Sequence, residues 1–225
     1  MNSKPMKSNY VRIVSLAATT VAAAVLLTGC GTLAGYKQAD KTGVGIAEFR
    51  DEIVKGKTAI DNTVVALDQI AASANTDPRK AFEQFSKAVD NLESIANKAK
   101  KRGEDMREQG QAYFKQWEEQ MAEVKNPEIR KLAEERKAKL QESFASIRNY
   151  TEPLKAQFDP WMSDLKDLQK YLSNDLTIAG VDAAKGQFAK TRADGVEVQK
   201  SMDGLVAELN TIAAALTPAK VEAKK

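Results

Sequence analysis

Any chemistry in this chain has to come from one thiol and from scattered carboxylates. Cys30 is the only cysteine among 225 residues, and there is no histidine. A lone cysteine can act as a nucleophile, pack as a small buried group, or carry acyl chains. The absence of histidine removes Ser-His-Asp and Cys-His nucleophile systems, His-containing zinc sites and the Glu-x-x-His di-iron sites of helical bundles. No glycine-rich phosphate loop is present: Gly43-Val44-Gly45 lacks both a preceding strand and a third glycine. The acid pairs Glu118-Glu119 and Glu134-Glu135 could support only a carboxylate-based hydrolase, and on polar helix faces they read as solvated charge. The sequence therefore predicts no enzyme, no metal and no cofactor.

The residues around Cys30 choose between its three uses. Residues 1–12 carry Lys4, Lys7 and Arg12 and no acid, and residues 13–29 carry no charge. A cationic start, an apolar run and small residues at its end form a secretory leader. Seventeen uncharged residues fall short of the roughly 20 that a spanning helix needs. Leu27-Thr28-Gly29-Cys30 looks like a bacterial lipobox, in which Cys30 becomes the first mature residue and takes acyl chains such as palmitate. Two or more chains hold a protein stably on a membrane. Gly31 in place of an acid, by resemblance to bacterial lipoproteins, favours the outer membrane, with the protein on its periplasmic side. The thiol is then consumed by acylation.

The same leader explains the charge. The chain has 34 basic and 31 acidic residues; removing the leader's three basic residues leaves 31 against 31. A nucleic-acid surface needs a basic excess, and no nucleic-acid partner is expected.

Stepping along the chain from Cys30, residues 30–43 are small and polar and are expected to be a lipidated tether. Residues 44–217 then repeat apolar positions every seven residues, the mark of helices. Helix 1 is expected at about 44–74, with Ile46, Ile53, Ile60 and Leu67 in one row. Asp77 or Thr76 would cap helix 2 (about 78–124), with Pro78 at its first position. Its two rows are Phe82, Val89, Ala96, Gly103, Gly110, Trp117 and Val124, and Phe85, Leu92, Ala99, Met106 and Tyr113. Asn126-Pro127 marks the turn into helix 3 (about 128–173), where Leu140, Ile147, Leu154, Trp161 and Leu168 stay in register. Pro153 and Pro160 inside it predict a kink or a one-turn interruption, with Asp159 able to cap a restart. Ser173-Asn174-Asp175 would supply the cap for helix 4 (about 177–216), and residues 218–225 form a polar tail. The expected fold is all-α: an elongated, antiparallel, coiled-coil-like bundle of about four long helices. Counting from the turns puts the small residues Gly56, Ala96, Ala156 and Gly195 at one level, which predicts a narrow waist.

Residues 105–215 resemble a family of exported Gram-negative bacterial lipoproteins described as a domain of unknown function. The likeness rests on Phe114-Lys115-Gln116-Trp117-Glu118 and the charged helix after it. Pro153-Leu154 with Phe158, and Leu165-Lys166 with Leu168, extend it. Pro160 and the segment after Leu172 depart from the pattern. The resemblance implies a lipid-anchored, coiled-coil-rich periplasmic protein, and it carries over no catalytic or binding residues.

Two functional classes follow. One is a structural or interaction element, tethered to the membrane through acyl chains on Cys30 and offering surface to an unidentified envelope protein. The other is a membrane-surface binder, a curved bundle similar to a BAR domain. The second would use a concave face or the tip at residues 125–139, where Lys125, Arg130, Lys131, Arg136, Lys137 and Lys139 outnumber Glu128, Glu134 and Glu135. Trp117 and Trp161 sit on the heptad seam, and packing is their plainer reading over a ligand box.

Overall fold

The structure, a computed structural model, describes residues 34–216. The leader 1–29, Cys30 and the tail 218–225 lie outside the described residues. Four helices make up the rest: α1 (Ala34–Ser73), α2 (Arg79–Ala122), α3 (Pro127–Asn174) and α4 (Ile178–Leu216). Each packs on its neighbours around a ring, α1 on α2 and α4, and α3 on α4 and α2. The result is the expected all-α antiparallel bundle. α3, at 48 residues, is about 72 Å long at 1.5 Å per residue.

The heptad rows become the core. On α1, Ile46, Ile53, Ile60 and Leu67 are buried; on α4 so are Val181, Phe188, Met202, Leu205, Leu209 and Ile212. On α2 the two rows are unequal. Phe85, Leu92, Ala99, Met106 and Tyr113 are buried, whereas in the other row Val89 and Gly110 are buried but Phe82, Ala96, Gly103, Trp117 and Val124 are half-buried. α2 packs most closely on α1 and more loosely on α3, which leaves this second row only partly sealed.

Several boundaries differ from expectation. Residues 34–43, expected within the tether, are the first turns of α1. Glycine costs about 1 kcal/mol in a helix interior, but α2 supplies the packing that offsets it. Thr42 is fully buried, donates to the Gln38 carbonyl at 2.8 Å and reaches the Gln109 carbonyl at 3.4 Å. At the α2 start, Pro78 has helical dihedrals and Asp77 Oδ1 accepts from the Arg79 amide at 3.1 Å, so Asp77 does the capping. Asn126 caps α3, its side chain accepting from the amides of Glu128 and Ile129. The cap of α4 is not Ser173-Asn174-Asp175 but Thr177, whose hydroxyl accepts from the Gly180 amide at 3.1 Å. Asp175 instead holds Thr177 in place, accepting from its hydroxyl at 2.6 Å.

α3 runs through Pro153 and Pro160 without interruption, and Asp159 caps no restart. Both prolines are exposed, as are Asn149 and Ala156, whose carbonyls would otherwise have taken the missing N–H groups. Those acceptors face water, which removes the penalty for leaving them unpaired inside protein.

The narrow waist does not form. Ala156 is exposed and off the core face, and Gly56 lies beside Met202 and Ile95 while Gly195 lies beside Trp161 and Ile60. The α1–α2 register follows the count outward from their turn, with Gly56 beside Ile95, but α4 is shifted from that count against α1 and α3. Gly195 has a different reason to be small: its absent side chain makes room for the Trp161 indole. Trp161 Nε1 donates to the Thr191 carbonyl at 2.7 Å, the carbonyl one helical turn before Gly195.

Two glycines of α4 invite a test with opposite signs. A Cβ on Gly180 would lie 2.6 Å from the backbone oxygen of Asp175, whereas one on Gly186 would meet nothing within 4 Å. Gly186→Ala is expected to stabilise the bundle by about 0.5–1 kcal/mol through helix propensity. Gly180→Ala, forced against backbone, is expected to destabilise it by about 1–3 kcal/mol. Urea melts of the two variants provide the comparison.

Candidate interaction surface

Surface chemistry here follows from how heptad helices divide their residues: apolar rows inward, charge outward. Where α1 and α4 run side by side, their charges form a ladder. Arg192 pairs with Asp68, Lys57 with Asp203, Gln199 donates to Asp61 at 2.6 Å and Arg50 to Asn210 at 3.1 Å. Lys166 on α3 pairs with Glu93 on α2, and Arg102 on α2 with Glu48 on α1 at 3.0 Å. Asp68, hydrogen-bonded to Arg192, holds its guanidinium above the ordinary arginine range. These pairs are exposed and contribute little energy each; they alternate sign along the sides of the bundle.

Two shallow open grooves, of about 490 and 380 Å³, run between α3 and α4 and share Asp164. Asp164, Asp194 and Glu197 in them are paired with lysines. Lys190 sits between Asp164 at 2.6 Å and Asp194 at 2.8 Å, and the hydrogen bonds it donates to these two, Asp164 first, hold its ammonium well above the usual lysine range. Among the described residues no group of His, Cys, Asp or Glu is arranged to hold a metal ion.

The two tryptophans behave differently. Trp161 is 1 % exposed and belongs to the core. Trp117 is half-buried, edge-on to Tyr113 with ring centres 5.6 Å apart, and its indole N–H has no partner among the described residues. Tyr113, Phe114 and Phe144 extend this aromatic cluster between α2 and α3, and burial pushes the Tyr113 phenol above its ordinary range. Gly110 admits Phe144, since a Cβ there would lie 2.7 Å from the ring. The acid pairs Glu118-Glu119 and Glu134-Glu135 stand on exposed faces, and Glu118 is bridged by Lys137 at 2.9 Å.

The arrangement of the ends follows from the expected topology, since four antiparallel helices return the chain to the side where it starts. The first turn of α1 lies beside the last turn of α2, with Gly35 against Gln120. α4 finishes beside the early part of α3, where Arg136 donates to the Ala215 carbonyl at 2.7 Å. Both ends of the described chain therefore leave from the end that carries the α2–α3 turn. The opposite end holds the α1–α2 and α3–α4 turns. At the first end, α3 continues nine residues from Arg136 back to Pro127, about 13 Å beyond the last turn of α4. On that overhang Ile129 and Leu132 are 51 % and 67 % exposed.

No described helix is long and apolar enough to cross a membrane. The sequence profile of a family described as "Protein of unknown function (DUF2959)" matches residues 33–216. That span takes in all four helices, and so reaches well before the residue-105 start of the likeness read from the sequence. No curated protein and no solved structure matches the chain.

Proposed function

The chain belongs to this family of proteins of unknown function, and for its helical domain we propose a non-enzymatic role as a lipid-anchored structural or protein-interaction element of the bacterial cell envelope. The observation that carries the reading is the arrangement of the ends. Both termini of the described chain lie at one end of a bundle some 60–70 Å long, judged from helices of 39 to 48 residues. A rod held at that end through acyl chains on Cys30 projects its far end, with the turns near Asn75 and Leu176, away from the membrane. The leader and Leu27-Thr28-Gly29-Cys30 support the anchor, and Gly31 supports the outer membrane as its site. The alternating charges on the sides offer no continuous basic face, which counts against membrane binding along the length of the bundle in the manner of a BAR domain.

The anchor is tested by feeding cells a fatty-acid probe. The wild-type chain is expected to take up label and fractionate with the outer membrane, and Cys30→Ala to lose both properties; equal labelling of the variant would defeat the reading. The partner is tested by photo-crosslinkers introduced at Asn75 and Ser173 on the far end. A discrete envelope-protein adduct is expected there, and adducts of equal yield from positions all along the sides would argue against end-on engagement.

A further inference from the structure

Taking the lipid anchor on Cys30 as given, we infer that the overhanging α2–α3 tip is a second membrane contact: it docks on the phosphodiester headgroups of the leaflet that holds the acyl chains. The first ground is covalent reach. Cys30 is four residues before Ala34, where α1 begins, and four residues span at most about 14 Å even fully extended. An expected tether of 14 residues would have let the bundle float clear of the bilayer; the early start of α1 removes that slack. The acylated cysteine must then lie within about 14 Å of the first turn of α1. The α2–α3 tip projects about 13 Å in the same direction past α4. A headgroup layer several Å thick covers the hydrocarbon, so a bundle standing on its anchor brings the tip to that layer.

The second ground is what the tip is made of. Ile129 lies on the stripe of α3 that buries Leu140 and Ile147 further along, since spacings of 11 and 18 residues return to one helical face, and Leu132, 8 and 15 residues from them, borders that stripe. They are exposed because α4 ends before reaching them. Around them Lys125, Arg130 and Lys131 stand against Glu123 and Glu128, and over residues 123–139 six basic groups face four acids; none of Lys125, Arg130 and Lys131 has an ion pair among the described residues. Exposed aliphatic groups beside unpaired cations in a net basic segment are the pattern of an interfacial membrane contact. The chain's own tail cannot neutralise this charge: residues 217–225 leave from the same end and add Lys220, Lys224 and Lys225 against Glu222. The acids set further back on α2 include Glu118, which Lys137 already bridges. The occupant that the charge fits is an anionic lipid surface.

The experiment uses the acylated protein purified from cells, because acylation leaves no free thiol in the wild-type chain. Leu132→Cys and, as a far-end control, Ser173→Cys are each labelled with a polarity-sensitive fluorophore. The proteins are reconstituted into vesicles of phosphatidylcholine with or without phosphatidylglycerol. With phosphatidylglycerol present, the label at position 132 is expected to shift to the blue. A headgroup-attached quencher is expected to quench it several-fold more than the label at 173. Adding Lys125→Glu, Arg130→Glu and Lys131→Glu together should abolish the difference while circular dichroism stays unchanged. Single labelling with position 132 as water-exposed as 173 would overturn the tip contact alone. A blue shift at 132 that is the same in detergent without phospholipid would mean that protein covers the tip, and would overturn it too. Double labelling of Leu132→Cys would show Cys30 free and overturn both the anchor and this inference.

Discussion

Replacing Trp161 with alanine is expected to cost about 3–5 kcal/mol, the range for removing a large aromatic from a core. The indole is 1 % exposed and sits where α3 and α4 press together over Ile60 of α1. Its ring lies 6.0 Å from that of Phe158, and its N–H is satisfied by the Thr191 carbonyl. Trp161→Ala vacates the volume without orphaning that carbonyl, which keeps its own helical partner. The loss is therefore one of packing. Trp161→Phe, which keeps most of the ring and forfeits the hydrogen bond, should cost far less, nearer 1 kcal/mol for the bond plus a small cavity. For a bundle of this size the alanine variant corresponds to a drop in Tm of roughly 10 °C. A guanidinium melt compares the two, and equal midpoints for Trp161→Ala and wild type would show that the indole is not a core member.

The helices were legible because their signal is redundant. Ile46, Ile53, Ile60 and Leu67, or Leu140, Ile147, Leu154, Trp161 and Leu168, repeat the same spacing often enough that no strand could share it, and all of them are buried. Starts and stops rest on one or two residues and were less legible. The small and polar residues of 30–43, Gly35 and Gly43 among them, argued for a tether, yet α1 occupies 34–43 because Thr42 and Ile46 are buried against the bundle. Pro153 and Pro160 argued for a kink or a one-turn interruption, yet α3 is uninterrupted and both prolines lie on an exposed face, where carbonyls left without a helical partner are open to solvent. The waist failed because relative register between helices is set by packing such as Trp161 on Gly195, which no count along a single chain can supply. The end shared by the two termini was legible, because four antiparallel helices return the chain to the side where it starts; how far α3 runs past the last turn of α4 is a property of the assembled bundle, set where Arg136 meets the Ala215 carbonyl.

Gly195→Leu carries the second large effect, and its sign is set by two opposing contributions. Leucine is the better helix former by nearly 1 kcal/mol, so at an open position the change should stabilise. At Gly195 a Cβ alone would lie 3.1 Å from Trp161 Cζ2 and 3.6 Å from Ile60 Cγ2, already tight on one side. The three further carbons of leucine have to displace the indole or push α4 off α1 and α3. Overpacking of this kind costs about 1–3 kcal/mol, more than propensity returns, and the net expectation is destabilisation. Gly186→Leu, on an exposed face of the same helix with nothing within 4 Å, isolates the propensity contribution and should be neutral or stabilising. The double variant Trp161→Ala with Gly195→Leu is the more telling case. The leucine then enters space that the indole has left, so its cost should be smaller than in the wild-type background, with a coupling of about 0.5–3 kcal/mol in favour of the pair. Additive losses across that cycle would mean that Gly195 and Trp161 do not pack against each other, and the account of why this glycine sits in the middle of a helix would fall with them.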